Sequence, residues 1–152
     1  MRLTVISTIV ALGALASGGE KKTQEQAPAA QPAGAPGAPA GPVVEVKMTG
    51  NGSTVALFEP ARLTIAPGTT VRFINVSGGP HNVAFWGDSI PAGAAAVLNA
   101  NMPNRMDNLS GPFATQPNES YDVSFAGAPT GTYKGYCLPH LVLGMKIAIT
   151  VQ

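Results

Sequence analysis

Hydrophobic and polar residues alternate along most of the chain after residue 42, in short runs separated by turn residues. In VVEVKM, the side chains of Val44, Val46 and Met48 fall on one face of an extended strand, because successive side chains of a strand point to opposite sides. The same alternation occurs in TVRFIN, SYDVSF and MKIAITV. These runs predict half-buried β-strands, each with one face directed towards a core.

The number and spacing of these runs predict the fold class. The segment RLTIAPGTTVRFIN is interpreted as a strand, a turn at Pro67-Gly68 and a second strand, and HNVAFW and GTYKGYC add further short strands. About seven to eight strands without a long amphipathic helix favour an all-β fold, an antiparallel Greek-key β-sandwich. Residues 91–117, rich in Ala, Asn, Pro and Gly, are predicted to form a long loop with room for one helical turn.

The N-terminal residues differ from the rest and predict an export signal over residues 1–18. Arg2 precedes an apolar run from Leu3 to Leu15, which is short for a membrane span, and Ala14-Leu15-Ala16 offers a small-residue cleavage site. A buried helix of the fold is the alternative. The signal also resembles that of a bacterial lipoprotein, except that Gly18 stands where the lipid-bearing cysteine would be. A cysteine there would tether the native chain to a membrane.

Residues 19–42 consist mainly of Ala, Pro, Gly and Gln and separate the signal from the alternating runs. Such a composition buries too little apolar area to offset the entropy of ordering the chain. The sequence therefore predicts a disordered linker over 19–42 and one folded domain over 43–152, in an exported, periplasmic protein that a lipid-bearing cysteine in place of Gly18 would tether to a membrane.

Charge changes this interpretation little, but it excludes one class of partner. Charged residues make up 11% of the chain and the formal net charge is +1. A protein that binds nucleic acid would be expected to carry a strongly basic surface. No nucleic-acid partner is therefore expected.

The side chains that could carry chemistry are few and lie close together in sequence. Cys137 is the only cysteine, and with His140 and Met145 it forms the pattern C-x2-H-x4-M; His81 is the only other histidine. Each has an ordinary explanation by itself, as a small buried hydrophobe, a core methionine or a solvated histidine. Together they form the donor set of a blue copper site, two His and one Cys with a weak Met. Zinc seldom takes a thioether, and iron–sulfur clusters need more cysteines.

The motifs around these residues resemble those of a known family. C-x-P-H-x4-M near the C-terminus, PHNVAF followed by DSIPAG upstream, and the strand–turn–strand segment FEPARLTIAPGTTVRFIN are similar to the cupredoxins, in particular plastocyanin and pseudoazurin. The resemblance covers about residues 43–152. It implies a β-sandwich that binds one copper ion and carries single electrons.

The resemblance also implies a role for individual residues. His81, Cys137 and His140 would be equatorial copper ligands and Met145 the axial one. Asn82 would connect the two ligand loops, and Pro139 has no N–H to offer the thiolate. The resemblance assigns an apolar rim around His140 to Leu141, Val142 and Leu143. It assigns a second route for the electron to Tyr136.

The expected partners are redox proteins, such as a c-type cytochrome or a membrane electron-transfer complex, that dock transiently on a monomer. Plant plastocyanins carry acidic clusters beside the tyrosine, whereas WGDSIPAG contains only Asp88. Residues 43–152 hold six Lys or Arg and six Asp or Glu. This balance predicts weak electrostatic steering and docking mainly through the apolar rim.

Two other functions remain as alternatives. A periplasmic protein that binds and delivers copper would use the same donors without cycling the metal. A copper enzyme of the oxidase or nitrite-reductase kind would need further histidine ligands, and both histidines are already assigned. The sequence therefore favours an electron carrier over an enzyme.

Overall fold

The computed structural model describes residues 41–152 of the chain. The predicted export signal and nearly all of the predicted linker lie outside the described residues, so they stay predictions. Within 41–152 the chain forms eight β-strands, one α-helix and one 3₁₀ helix. The strands are β1 Val43–Gly50, β2 Ala56–Glu59, β3 Arg62–Ile65, β4 Thr70–Asn75, β5 Ala84–Phe85, β6 Ser120–Ser124, β7 Gly131–Tyr136 and β8 Lys146–Val151.

The eight strands form two four-stranded sheets, in the orders β2-β1-β4-β6 and β3-β8-β7-β5. This confirms the predicted all-β sandwich. Most neighbouring strands are antiparallel, but β1 pairs with β4 in parallel and β3 pairs with β8 in parallel. The sheets are therefore mixed, whereas the sequence predicted an antiparallel sandwich.

The core lies between the two sheets and follows the predicted alternation. In β1, Val46 and Met48 are buried and Lys47 between them is exposed. In β8, Ile147, Ile149 and Val151 are buried and the residues between them are half-buried. Inward-facing aromatic rings meet edge to face, as Phe125 does with both Phe85 and Tyr133. Burial of these apolar side chains provides the main stabilisation of the sandwich.

Residues 91–117 contain more order than the predicted loop with one helical turn. Helix α1, Ala94–Asn101, has eight residues, or about two turns. It buries Ala94 and Leu98 against the core. Within residues 41–152, no helix has the length and apolar content needed to cross a membrane.

The rest of this loop runs alongside the segment that contains His81. The backbones of His81 and Ala114 exchange hydrogen bonds of 3.0 and 2.8 Å, Gly111 N–H donates to the Val83 carbonyl, and Phe85 N–H donates to the Leu109 carbonyl. The loop therefore provides hydrogen-bond partners along the outer edge of the two-residue strand β5, which has no neighbouring strand on that side.

The sandwich has two distinct ends. At one end, β4 finishes at Asn75, β7 finishes at Tyr136 and β8 begins at Lys146. At the other end, Val43 of β1 lies opposite Thr70 of β4 and Val151 of β8 lies opposite Gly131 of β7. The described chain thus begins and finishes at the end of the sandwich that carries Thr70 and Gly131. The segments with His81, Cys137 and His140 lie at the opposite end.

Candidate metal centre

The only cysteine and both histidines meet at the end of the sandwich where β4 and β7 finish and β8 begins. Cys137 Sγ lies 3.6 Å from His81 Nδ1 and 3.5 Å from His140 Nδ1, and the two Nδ1 atoms are 3.1 Å apart. All three residues are buried. Residues 56 positions apart in sequence are thus joined into one compact group of donor atoms.

The spacing of the three atoms fits a single metal ion. A triangle with these sides has a point about 2.0 Å from each corner, close to metal–nitrogen and metal–sulfur bond lengths of roughly 2.0–2.3 Å in proteins. One thiolate and two imidazoles suit copper, because sulfur stabilises Cu(I) and imidazole binds both oxidation states. The group therefore fits one copper ion.

The backbone around His81 fixes the orientation of its imidazole ring. His81 Nε2 lies 2.9 Å from the Ser77 carbonyl oxygen and donates to it, which leaves Nδ1 free to bind a metal. The chain reaches this position through Gly78, whose φ is 76° and whose missing side chain would overlap the backbone of Gly50. Glycine is required there because both the conformation and the space exclude a Cβ.

Cys137, His140 and Met145 lie on one short loop that is closed by its own hydrogen bonds. Cys137 N–H donates to the Met145 carbonyl, Met145 N–H donates to the His140 carbonyl, and His140 N–H donates to the Cys137 carbonyl, at 3.1–3.2 Å. Between them, Leu141–Leu143 forms the 3₁₀ helix, which ends at Gly144 with φ 79°. These backbone hydrogen bonds close the loop.

Met145 is the fourth predicted ligand. Its side chain is fully buried, and its backbone bonds place it beside Cys137 and His140. A thioether at this position suits the long, weak axial bond of a blue copper site. Its axial role stays a prediction.

Asn82 connects three segments around the centre. Its Oδ1 accepts from Leu138 N–H at 2.8 Å, and its Nδ2 donates to Ser110 Oγ and to the Gly111 carbonyl at 3.2 and 3.3 Å. Its backbone N–H points at Cys137 Sγ at 3.5 Å. Asn82 thus joins the loops of His81 and Cys137, and it extends this network to the loop after α1.

Burial affects the protonation of Cys137 and His140. It raises the pKa of the Cys137 thiol, an effect partly offset by the backbone N–H groups of Asn82 and His140. Burial, followed by the neighbouring His81, lowers the pKa of His140. The metal-free centre therefore favours a neutral thiol and a neutral His140 imidazole, and metal binding must displace the thiol proton.

An apolar surface surrounds His140, whose own exposure is 8%. Val142 is 92% exposed and Leu138 is 48% exposed, while Leu141 and Leu143 are half-buried. Pro139, which was predicted to limit hydrogen bonding to the thiolate, is exposed between Leu138 and His140. Leu138 therefore extends the apolar rim predicted from the sequence, Leu141, Val142 and Leu143, and the name covers all four residues from here on.

Tyr136 lies on the outer face of the second sheet, directly before Cys137, and its ring stacks on Trp86 at 4.6 Å between centroids. The sequence interpretation missed Trp86, and it also missed Ser77, Ser110 and Gly111 as partners of His81 and Asn82. Ser77 and Gly111 act through backbone carbonyls, which leave no residue-type signal in a sequence. Only the nearness of Ser77 to His81 could have suggested its role.

Comparison with known proteins agrees with this centre. Residues 44–152 match the family model of copper-binding proteins, plastocyanin/azurin family. Plastocyanin of Scenedesmus fuscus is 42% identical over 109 residues, which cover 72% of this chain and 99% of that protein. A chloroplastic plastocyanin of Physcomitrium patens is 39% identical over 107 residues, covering 70% of this chain and 56% of that protein.

The fold is also similar to that of a solved structure. Oxidised plastocyanin from Dryopteris crassirhizoma superposes with a TM-score of 0.54 at 28% identity, covering 72% of this chain and 100% of that one. The similarity spans the whole of the described sandwich rather than a single motif.

Proposed function

Because the chain belongs to the plastocyanin/azurin family of copper-binding proteins, we propose that it is a blue copper protein that shuttles single electrons between larger redox partners. The observation that carries this proposal is the convergence of Cys137 Sγ with the Nδ1 atoms of His81 and His140. Copper bound there supplies a one-electron couple between Cu(II) and Cu(I).

In this proposal some residues bind the metal and others hold those ligands in position. His81, Cys137 and His140 would hold the copper ion through two imidazoles and one thiolate, and Met145 would add the weaker thioether donor. The Ser77 carbonyl, Asn82 and the closed loop from Cys137 to Met145 keep these ligands in place. Ligands that hardly move between oxidation states keep the reorganisation energy small, which favours fast electron exchange.

Partners would dock on the apolar rim. His140 is flanked in sequence by the rim residues and keeps 8% of its surface exposed, so it offers a short path from the copper site to a docked protein. Such a surface suits transient contact with a c-type cytochrome or a membrane electron-transfer complex, since a small apolar contact area releases its partner quickly. A monomer that presents this end to successive partners needs no catalytic residues of its own, and we propose no enzymatic activity.

The proposed location is outside the cytoplasm. The N-terminal signal pattern supports export to a periplasm. Mass spectrometry of the mature N-terminus from the native host tests this proposal. An uncleaved Met1 would contradict export, and a lipid adduct would show that the exported protein is tethered to a membrane.

The function is tested by the visible spectrum of the full chain after addition of Cu(II). We expect an intense blue band that ascorbate bleaches and an oxidant restores, because the thiolate–copper bond generates the colour. Cys137→Ser should abolish the band even if copper still binds. Met145→Gln should keep a copper site but lower its potential, since an oxygen donor favours Cu(II).

Three outcomes would contradict parts of this proposal. Copper bound with only weak colour would favour the alternative of a copper-delivery protein. A blue band retained by Cys137→Ser would exclude Cys137 as a ligand. An unchanged or higher potential in Met145→Gln would exclude the axial role of Met145.

A further inference from the structure

The segment that leads from β4 to His81 packs closely against the end of strand β1. Val76 N–H donates to the Met48 carbonyl at 2.9 Å. A Cβ at Gly78 would overlap the backbone of Gly50, so the two segments approach as closely as glycine allows. The end of β1 therefore determines where this segment lies.

The hydroxyl of Ser77 adds two hydrogen bonds to this contact. Ser77 Oγ donates to the Gly50 carbonyl at 3.1 Å and accepts from Gly50 N–H at 3.3 Å. A hydroxyl can donate and accept at once, so one side chain binds both backbone groups of the same residue. The backbone N–H of Ser77 makes only a longer bond, of 3.5 Å, to the Met48 carbonyl. The side chain thus provides the two shorter hydrogen bonds between Ser77 and β1.

Gly50 is a well-fixed attachment point, because the turn that follows it is closed by hydrogen bonds. Asn51 Oδ1 accepts from the backbone N–H groups of residues 53–55 at 2.9–3.1 Å. Asn51 Nδ2 donates to Thr54 Oγ1 at 2.9 Å, and Asn51 N–H donates to the Val55 carbonyl at 3.0 Å. The hydroxyl of Ser77 is therefore bound to an ordered hairpin between β1 and β2.

The carbonyl of the same residue orients the imidazole of His81. It accepts from His81 Nε2 at 2.9 Å, so that Nδ1 faces Cys137 Sγ and His140 Nδ1. Because the carbonyl belongs to the backbone of Ser77, any contact that fixes this residue also fixes the acceptor of His81. We propose that the Ser77 hydroxyl is a positioning group, which ties Ser77 to Gly50 and thereby sets the donor strength of His81 towards copper.

The physical link is the hydrogen bond of the imidazole. A ring N–H that donates to a carbonyl makes the other ring nitrogen a more basic metal ligand and holds the ring in one orientation. Loss of the Ser77 hydroxyl lets the carbonyl move away from His81 and weakens this bond. The effect on copper rests on the proposed function, whereas the effect on His81 can be measured in the metal-free protein.

The test compares Ser77→Ala with the unmodified full chain, both metal-free and labelled with ¹⁵N, by NMR at one fixed pH. The Nε2 proton of His81 should exchange with water about tenfold faster in the variant, a factor equal to about 1.4 kcal/mol and comparable to one net hydrogen bond. The ¹⁵N shift of His81 Nε2, which reports the hydrogen bond in the folded state, should change as well. The amide of Gly50 loses its acceptor and should also exchange faster.

Two further variants are the controls. Ser53→Ala removes a hydroxyl from the same exposed turn, where it reaches only Asn51 Oδ1 at 3.5 Å, and should leave His81 unchanged. Ser77→Thr keeps a hydroxyl and should retain slow exchange of the Nε2 proton. An unchanged rate and shift in Ser77→Ala would overturn the proposal, because backbone contacts or a water molecule would then hold the carbonyl equally well. Equal effects of Ser77→Ala and Ser53→Ala would overturn it too.

The copper-loaded proteins then test the effect on the metal. A less basic His81 stabilises Cu(II) less than before, because Cu(II) gains more than Cu(I) from a strong imidazole donor. Ser77→Ala should therefore keep the blue band but raise the reduction potential, while Ser53→Ala and Ser77→Thr should not. An unchanged or lower potential in Ser77→Ala would overturn the link to donor strength. A missing or irreversible blue band in the unmodified protein would overturn the proposed function instead, and the metal-free measurements would still decide whether Ser77 positions His81.

Discussion

Asn82 shows how much of the centre depends on a residue that is not a proposed ligand. Both polar atoms of its side chain are used, one to accept from Leu138 and the other to donate to Ser110 and Gly111. The side chain is buried, so removing it would leave these groups without partners in a region of low polarity. Stability and ligand position are therefore coupled at this residue.

We expect Asn82→Ala to lower the free energy of unfolding of the metal-free protein by about 2 kcal/mol, because Leu138 N–H loses its acceptor. Urea unfolding followed by circular dichroism measures this loss. Asn101→Ala is the control, since Asn101 makes a single exposed hydrogen bond to Ala126. An equal loss in both variants would show that the network around Asn82 contributes no more than a surface bond.

Tyr121 contributes differently, through its ring alone. Its hydroxyl is buried and has no protein hydrogen-bond partner within the described residues, and burial raises its pKa from 10.0 to about 12. The folded state thus favours the protonated phenol. The associated stability is fully present below pH 10 and is lost as the pH rises from 10 towards 12.

Tyr121→Phe is expected to leave stability at neutral pH unchanged within about 1 kcal/mol, because no protein hydrogen bond is lost and the ring is kept. It should also reduce the loss of stability between pH 10 and 12. Urea titrations of both proteins across this range measure the difference. An identical alkaline loss in the variant would mean that Tyr121 does not titrate with unfolding.

At the scale of elements, the loop from Cys137 to Met145 depends on Gly144. This residue ends the 3₁₀ helix with φ 79°, which L residues with a Cβ adopt at a cost of about 1–2 kcal/mol. The turn allows Met145 N–H to reach the His140 carbonyl and Cys137 N–H to reach the Met145 carbonyl. The glycine thus brings the two ends of the loop together.

Gly144→Ala should therefore lower stability by about 1 kcal/mol and also shift the visible spectrum of the copper form. Gly52→Ala is a matched control, since Gly52 has φ 77° and, like Gly144, has open space where a Cβ would lie. It should cost similar stability without a spectral change. A shift of the spectrum in both variants, or in neither, would contradict a specific role of Gly144.

The strands could be predicted from sequence to the extent that they are regular. Alternation identifies β8, where every second residue from Ile147 is buried. The parallel pairing of β1 with β4 could not be predicted, because it is fixed by contacts between distant segments. Helix α1 was also underestimated, since its run of Ala and Asn has no clear apolar stripe and only Ala94 and Leu98 are buried.

The candidate site also divides into residues that the sequence could identify and groups that it could not. Cys137 and His140 could be grouped because their spacing is local, and His81 because it is the only other histidine. The carbonyl of Ser77 and the loop around Ser110 could not be identified. Backbone groups and long-range neighbours acquire their roles only when the chain has folded.

At the scale of the whole molecule, the core and the candidate metal centre are largely separate. The buried cluster includes Cys137 and Met145 at one end, but most of its members lie between the sheets. The loop from Cys137 to Met145 is closed by hydrogen bonds between its own backbone groups. The sandwich is therefore expected to fold without copper.

Removing copper with a chelator should leave the β-sheet circular dichroism intact and lower the unfolding temperature. A ligand that binds only the folded state at a hundredfold excess over its Kd adds about 2.7 kcal/mol. Thermal unfolding with and without copper measures the shift, and Cys137→Ser, which lacks the thiolate, should show a smaller one. Loss of β-structure on chelation would show that the fold depends on the metal.

The placement of the chain ends has a practical consequence. Val43 and Val151 lie at the end of the sandwich remote from His140, since they pair with Thr70 and Gly131. A fluorescent label, a fused domain or an electrode linker joined to the described residues at either end would therefore leave the apolar rim unobstructed. The protein can be immobilised through either end of the described residues, with the apolar rim and the proposed copper site facing the solution.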